Sequence, residues 1–200
     1  MIARTFLGLM CDGFGEWTVQ PMEEILGKAP EQATVDDLRS LGWRDSLRLF
    51  HAAPAPAMES MDGEYRADLV PAGVFAPLAG FYTYNLFGPG RWGGKAFRPM
   101  GTASGEGYNM FAGRGKNAGS VLRRRRFATS LKPSMFDGRT SFCLDYSPHN
   151  RFLVHSMRDE LREVNAELFL GLGAMAAGGG AVNPAPFVVY GKPEAWVGAK

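Results

Sequence analysis

From Gly63 onward the chain is cut into short apolar or alternating runs by glycine, asparagine and proline, and this punctuation constrains the fold more than any other feature. An apolar period of two bounded by turn residues marks half-buried strands. Strands are expected at 63–70, 92–99, 106–112, 120–129, 140–146, 155–164, 167–176 and 187–190. Eight strands of this length can close an antiparallel barrel. HSMRDELREV and ELFLGLGAMA read as two extended runs joined by a short turn at Asn165 and Ala166, where asparagine tolerates the left-handed conformation. The charge-rich DELRE could instead start a helix. VFAPLAGFYTYNLFG, at 74–88, is too long for a simple turn and reads as a helix or lid. GRGKNAGS, at 113–120, is a hairpin loop without the phosphate-loop pattern, and AAGGGAVNPAP, at 176–186, is a flexible loop.

Residues 1–58 carry helical signals and form a segment packing on or capping a barrel domain at 59–200. Thr34 with Asp37 has the spacing of a capping box, and Leu38 and Leu41 then share a face. DSLRLFHAA restarts the pattern, with Asp45 as a candidate cap and Leu47 and Phe50 three apart, until the prolines of APAPAM end it. The segment is open to use as a lid, a homodimer contact or ordinary packing.

Two hundred residues, 46% of them apolar, suffice for one domain with a sizeable core. A net charge of +2 is far from the strongly basic balance of a nucleic-acid binder, so no nucleic-acid partner is expected. Cys11 and Cys143 show neither C-x-x-C spacing nor a ligand cluster, and His51, His149 and His155 lack metal-ligand spacing. No metal and no cofactor are implied, and a reducing, cytoplasmic setting is expected. The opening MIARTFLGLMC reads as mature protein, and no run approaches the roughly 20 apolar residues that span a bilayer.

Three segments carry a resemblance. GEYRA at 63–67, RWGGKAF at 91–97, and DELREV with LFLGLG between 159 and 173 resemble a bacterial family named for its Gly-x-Trp-x-Gly motif, together with the domain of unknown function that follows it. Gly63 matches the first glycine, Tyr65 stands for the tryptophan and Ala67 for the last glycine, while Trp92, Gly94, Lys95 and Phe97 match the second segment. The resemblance covers roughly residues 60–190. It implies an antiparallel lipocalin-like, or calycin-like, β-barrel of about eight strands and no settled activity.

VLRRRRFATS, at 121–130, sets four arginines on a predicted strand. Strict alternation puts Arg123 and Arg125 on one face with Val121 and Phe127, and Arg124 and Arg126 on the other. In a closed wall two of them would point inward and need carboxylates, water or an anionic ligand. Asp145, and either Asp159 with Glu163 or Glu160 on the opposite alternation, could supply the carboxylates. The alternatives are a solvated rim and a surface site for phosphate, membrane or nucleic acid; the small net charge counts against the last. Lys95 lies between glycines and an aromatic, on the alternation of Phe97 and opposite Trp92, and needs a carboxylate, a ligand anion or a route to solvent.

These residues support two functions. One is non-covalent binding of a small hydrophobic molecule with a polar or anionic group, with Lys95, Arg123 and Arg125 near the head and Trp92, Phe97, Tyr108 and Phe142 around the body. The other is a cofactor-free isomerase, cyclase or lyase that draws on Asp145, Tyr146 and Glu160 for proton transfer. His51 on its amphipathic helix reads as structural, and SPHN as an exposed turn.

Overall fold

The computed structural model describes residues 20–73 and 76–199. Eight antiparallel strands form one closed barrel: β1 Gly63–Leu69, β2 Gly90–Pro99, β3 Ser104–Gly113, β4 Val121–Pro133, β5 Thr140–Asp145, β6 Arg158–Asn165, β7 Leu168–Ala174 and β8 Ala185–Glu194. Each strand pairs with the next, and β1 closes on β8 with Ala67 opposite Val189. Closure leaves no edge strand to template aggregation. DELRE is strand, whereas His155 ends a short preceding helix, Phe152–His155. The β6–β7 turn needs no left-handed asparagine, since Arg125 and Phe152 are the non-glycine residues with positive φ among those described. Asn165 instead accepts from the Glu167 amide and donates to the carbonyls of Pro30 and Ala33, tying the hairpin to the helical segment. The opening MIARTFLGLMC, with Cys11, lies outside the described residues.

The strands bury two different faces. Inside, Tyr65, Trp92, Phe97, Phe111, Phe127, Phe142, Tyr146, Phe169 and Phe187 form an aromatic core. Small residues make room for these rings: a methyl group on Gly171 would overlap the Phe187 ring. A methyl group on Gly107 would overlap both the Phe127 ring and the Ala96 carbonyl oxygen, and the backbone cannot yield as a side chain can. Gly107→Ala is therefore expected to cost about 2–3 kcal/mol, read as a lowered urea midpoint. An unchanged midpoint would mean that the barrel is looser here than described.

Outside, Leu168, Leu170 and Leu172 of β7 and Val188 of β8 are buried beneath the N-terminal helices. These helices are α1 Met22–Leu26, α2 Val35–Ser40 and α3 Trp43–Ala52. Thr34 and Asp37 form the expected capping box at α2, with Leu38 buried behind it. The N-cap of α3 is Gly42, and Asp45 lies in the first turn, where its charge favours the helix dipole. Leu47, Leu49 and Phe50 supply the face of α3 that meets the barrel. Arg162 points outward from β6 yet is wholly buried. It pairs with Asp137 at 2.9 Å, donates to the Ser141 hydroxyl and the Ala53 carbonyl, and lies over the Phe50 ring.

Two β-bulges govern what faces inward. In β2 Trp92 pairs with Phe111 and Gly94 with Met110, so Gly93 is left over, and Trp92 and Lys95 both reach the interior despite an odd spacing. In β4 Asn109 pairs with Arg124 and Gly107 with Phe127, so Arg125 and Arg126 together oppose Tyr108. Arg125 takes up the irregularity with φ of 56°, a left-handed conformation that an arginine rarely adopts. Leu122 and Phe127 thus both belong to the inner core although strict alternation separates them, and the expected inward face of Arg123 and Arg125 does not form.

Candidate functional site

At the barrel end where β1 leads into β2, a cavity of about 950 Å³ extends from the surface to the aromatic core. Two helical turns, α4 Ala76–Phe81 and a π-helical turn Tyr82–Leu86, cover one side; the 175–184 loop covers the other. The described part of that stretch, 76–88, thus lies over the mouth, where the expected helix or lid would sit. Most of the lining is apolar. Its charged residues are Arg39, Asp68, Lys95 and Asp159, which form two ion pairs, Arg39 with Asp68 and Lys95 with Asp159.

Lys95 and Asp159 lie at the inner end of the cavity, with side chains only 2% and 4% exposed. The Lys95 ammonium donates to Asp159 at 2.7 Å, Tyr146 Oη at 2.7 Å and Asn109 Oδ1 at 3.1 Å, so all three of its protons are used. Tyr146 Oη donates to Asp159 at 2.9 Å and accepts from Lys95 and from Asn109 Nδ2. Asn109 Oδ1 also accepts from the Trp92 indole at 2.9 Å, and its other amide proton goes to the Arg125 carbonyl at 3.1 Å. The strained bulge therefore aims a backbone carbonyl at the network. The ammonium also lies 5.0–5.5 Å from the centroids of Trp92, Phe127, Tyr146 and Phe187, within reach of cation–π attraction.

Burial pushes the Lys95 pKa down, against the pull of the Asp159 carboxylate. Burial, and then the negative charge of Asp159, hold the Tyr146 phenol well above its ordinary value. The phenol is therefore protonated at neutral pH and acts as a donor to Asp159.

The other candidates lie elsewhere. Trp92, Phe97 and Phe142 face inward, as a lining requires, but only Trp92 borders the cavity. Tyr108 faces outward: its ring stacks on Trp196 at 4.5 Å and its hydroxyl donates to Glu64. Arg123 is also outside, held on Glu64 by two hydrogen bonds of 2.6 and 2.8 Å. Arg125 is half-buried and donates to the Phe87 carbonyl at 2.8 Å, while Arg124 and Arg126 are exposed. Asp145 projects outward, pairs with Arg158 and accepts from Ser147. Glu160 projects outward as well, with one oxygen on the Met135 amide and the other buried without a hydrogen bond. Of Asp145, Tyr146 and Glu160, only Tyr146 reaches the interior; Asp159, one residue from Glu160 and on the other alternation, is the inward carboxylate.

His51 contacts Asp137 in a packing role, and His149 and His155 lie in and after an exposed turn. Cys143 is buried, and burial raises its thiol to about 12, which leaves it unreactive. No group of three or more potential metal ligands occurs among the described residues. Asn109 is the residue that sequence reasoning passed over. Its signal was a polar amide on the same alternation as Phe111, in a strand of otherwise aromatic inward residues.

Fold and site together define a closed antiparallel barrel whose buried aromatic cluster and mouth cavity are of the build that binds ligands. No family model matches the chain, nor does any curated protein. A crystal structure of a protein from Thermomonospora curvata is similar at 18% identity and a TM-score of 0.44, over 72% of this chain and 83% of that one. GEYRA and RWGGKAF bring no family assignment, and the barrel rests on the strand pairing itself.

Proposed function

We propose that the protein binds a small, largely apolar and uncharged molecule, with one polar group, in the mouth cavity. One observation carries this reading: both cations in the lining are already paired with carboxylates, so the cavity is apolar and electrically neutral. An anionic head would meet no free positive charge, because Lys95 has spent its donors and Arg123 is on the outer face with Glu64. Desolvating a carboxylate there without a partner is costly, whereas a hydroxyl or carbonyl loses little.

The test is a pair of ligands of equal chain length, a fatty alcohol and its fatty acid, each displacing the uncharged fluorescent probe N-phenyl-1-naphthylamine. The alcohol is expected to compete at least as well as the acid. Ala79→Trp, which places an indole from α4 into the cavity, is expected to weaken the probe at least tenfold, since it occupies the volume that the probe would fill. A clear preference for the acid, or full binding by Ala79→Trp, would sink the proposal.

A second reading, proton-transfer catalysis without a cofactor, is favoured by the meeting of Lys95, Tyr146 and Asp159 at the cavity floor. Asp159 then takes the place first given to Asp145 and Glu160. Retained turnover of an identified substrate by Asp159→Asn would eliminate it.

A further inference from the structure

Four connections, in sequence residues 70–89, 114–120, 146–157 and 175–184, join strands at the open end of the barrel, where the described parts of each, 70–73 and 76–89 in the first, come together. The chain contains 20 aspartates and glutamates, yet none falls in these four segments. Their charged residues are Arg114, Lys116 and Arg151, all cationic. Asp68 and Asp145, on strand ends that lead into them, are each paired with an arginine.

The same end is also where apolar side chains meet solvent. Of the ten exposed large apolar residues among those described, six lie in these connections, including Leu78, Phe81 and Leu86 of the cover, and Phe152 and Leu153, and Val121 begins the strand after one of them. Phe152 is 92% exposed and holds a left-handed backbone, φ 55°. Among the described residues no ring pairs with it, and a strained, exposed phenylalanine calls for a partner. Leu78, Phe81 and Leu86 border the cavity as well, so the apolar rim surrounds its opening.

From this coincidence we infer that the mouth of the barrel docks on an anionic lipid surface. The rim side chains enter the boundary between headgroups and acyl chains, and Arg114, Lys116 and Arg151 face the phosphates. Docking in this orientation puts the cavity opening against the bilayer, where an apolar ligand can pass between them without crossing water. The charge pattern selects this partner over a second copy of the chain, since two such faces would oppose cation to cation. The inference shares the mouth with the proposed ligand site, but vesicle binding is read with the cavity empty, so either idea can fail alone.

The full chain would be sedimented with phosphatidylglycerol-rich vesicles and with pure phosphatidylcholine vesicles. Binding is expected to be about 100-fold tighter to the anionic vesicles, as three cations at such a surface provide, and to weaken with salt. Arg114→Gln, Lys116→Gln and Arg151→Gln together should abolish the preference, and Phe152→Ser should weaken binding about tenfold, as loss of one inserted ring predicts. All four side chains are at the surface, but Arg114 also donates to the Tyr84 carbonyl of the cover, so circular dichroism checks the fold and Lys116→Gln with Arg151→Gln, which leave that contact intact, should already lose most of the preference. Equal binding to both vesicles, no binding, or self-association without vesicles that Phe152→Ser dissolves would each overturn the inference.

Discussion

Asp159→Leu is expected to destabilise the protein by about 3–5 kcal/mol, because it strands the Lys95 ammonium in an aromatic interior with no carboxylate. Lys95→Met should cost a similar amount, leaving Asp159 with only the Tyr146 phenol as a charge-relieving donor. The double variant Lys95→Met with Asp159→Leu is expected to recover most of the loss, since a buried pair can often be exchanged for apolar side chains of similar volume. Urea midpoints at constant slope measure all three. Single variants that cost less than about 1 kcal/mol would show that water reaches the ammonium and that the pair is not buried as described.

The same network sets a pH dependence. With its folded pKa depressed, Lys95 makes stability rise with pH as its folded value is passed, up to the ordinary lysine value, because the unfolded chain holds the extra proton. With its folded pKa raised, Tyr146 makes stability fall once pH exceeds the ordinary tyrosine value, where the unfolded phenol is already ionised. Tyr146→Phe should lessen the alkaline fall, to which the buried Cys143 thiol and Tyr65 also contribute, while leaving the rise.

Arg162→Met is expected to cost about 3 kcal/mol or more, and to do so differently. The Arg162 guanidinium joins β6 to Asp137 in the β4–β5 connection and to Ala53 at the end of α3, so its loss frees the helical segment from the wall. Limited proteolysis should then cut between α3 and β1 under conditions where the barrel still resists. A cut that appears only as the whole protein unfolds would show that helices and barrel form a single cooperative unit that does not depend on this arginine.

What was legible in the sequence was local. Strand positions followed from an apolar period of two, and the capping box at Thr34 from a three-residue spacing; both depend on nearby backbone. The demand that Lys95 find a partner was legible too, because an aromatic interior imposes it. Leu168, Leu170 and Leu172 alternate with inward Phe169, making β7 apolar on both faces, a signal that something must cover the barrel there.

The facing of side chains beyond each bulge was not legible. The glycine pair at 93–94 hinted at a bulge in β2, but an arginine in the left-handed region carries no such mark, so strict alternation does not give the facing of VLRRRRFATS. One unpaired residue inverts every side chain beyond it. In β5 and β6 alternation holds, and which of its two phases faces inward was decided by pairing: Asp145 and Glu160 lie outside the wall and Asp159 within it.

By itself the sequence determined an eight-stranded antiparallel barrel, a helical segment before it and a lysine in need of a counter-charge, because these follow from periodicity, local hydrogen bonding and desolvation. Only the tertiary structure decided that Asp159, 64 residues away in the chain, would be that partner, and that four acid-free connections would meet around one opening. Both depend on register and closure, which are settled by the packing of all eight strands together and by no one of them.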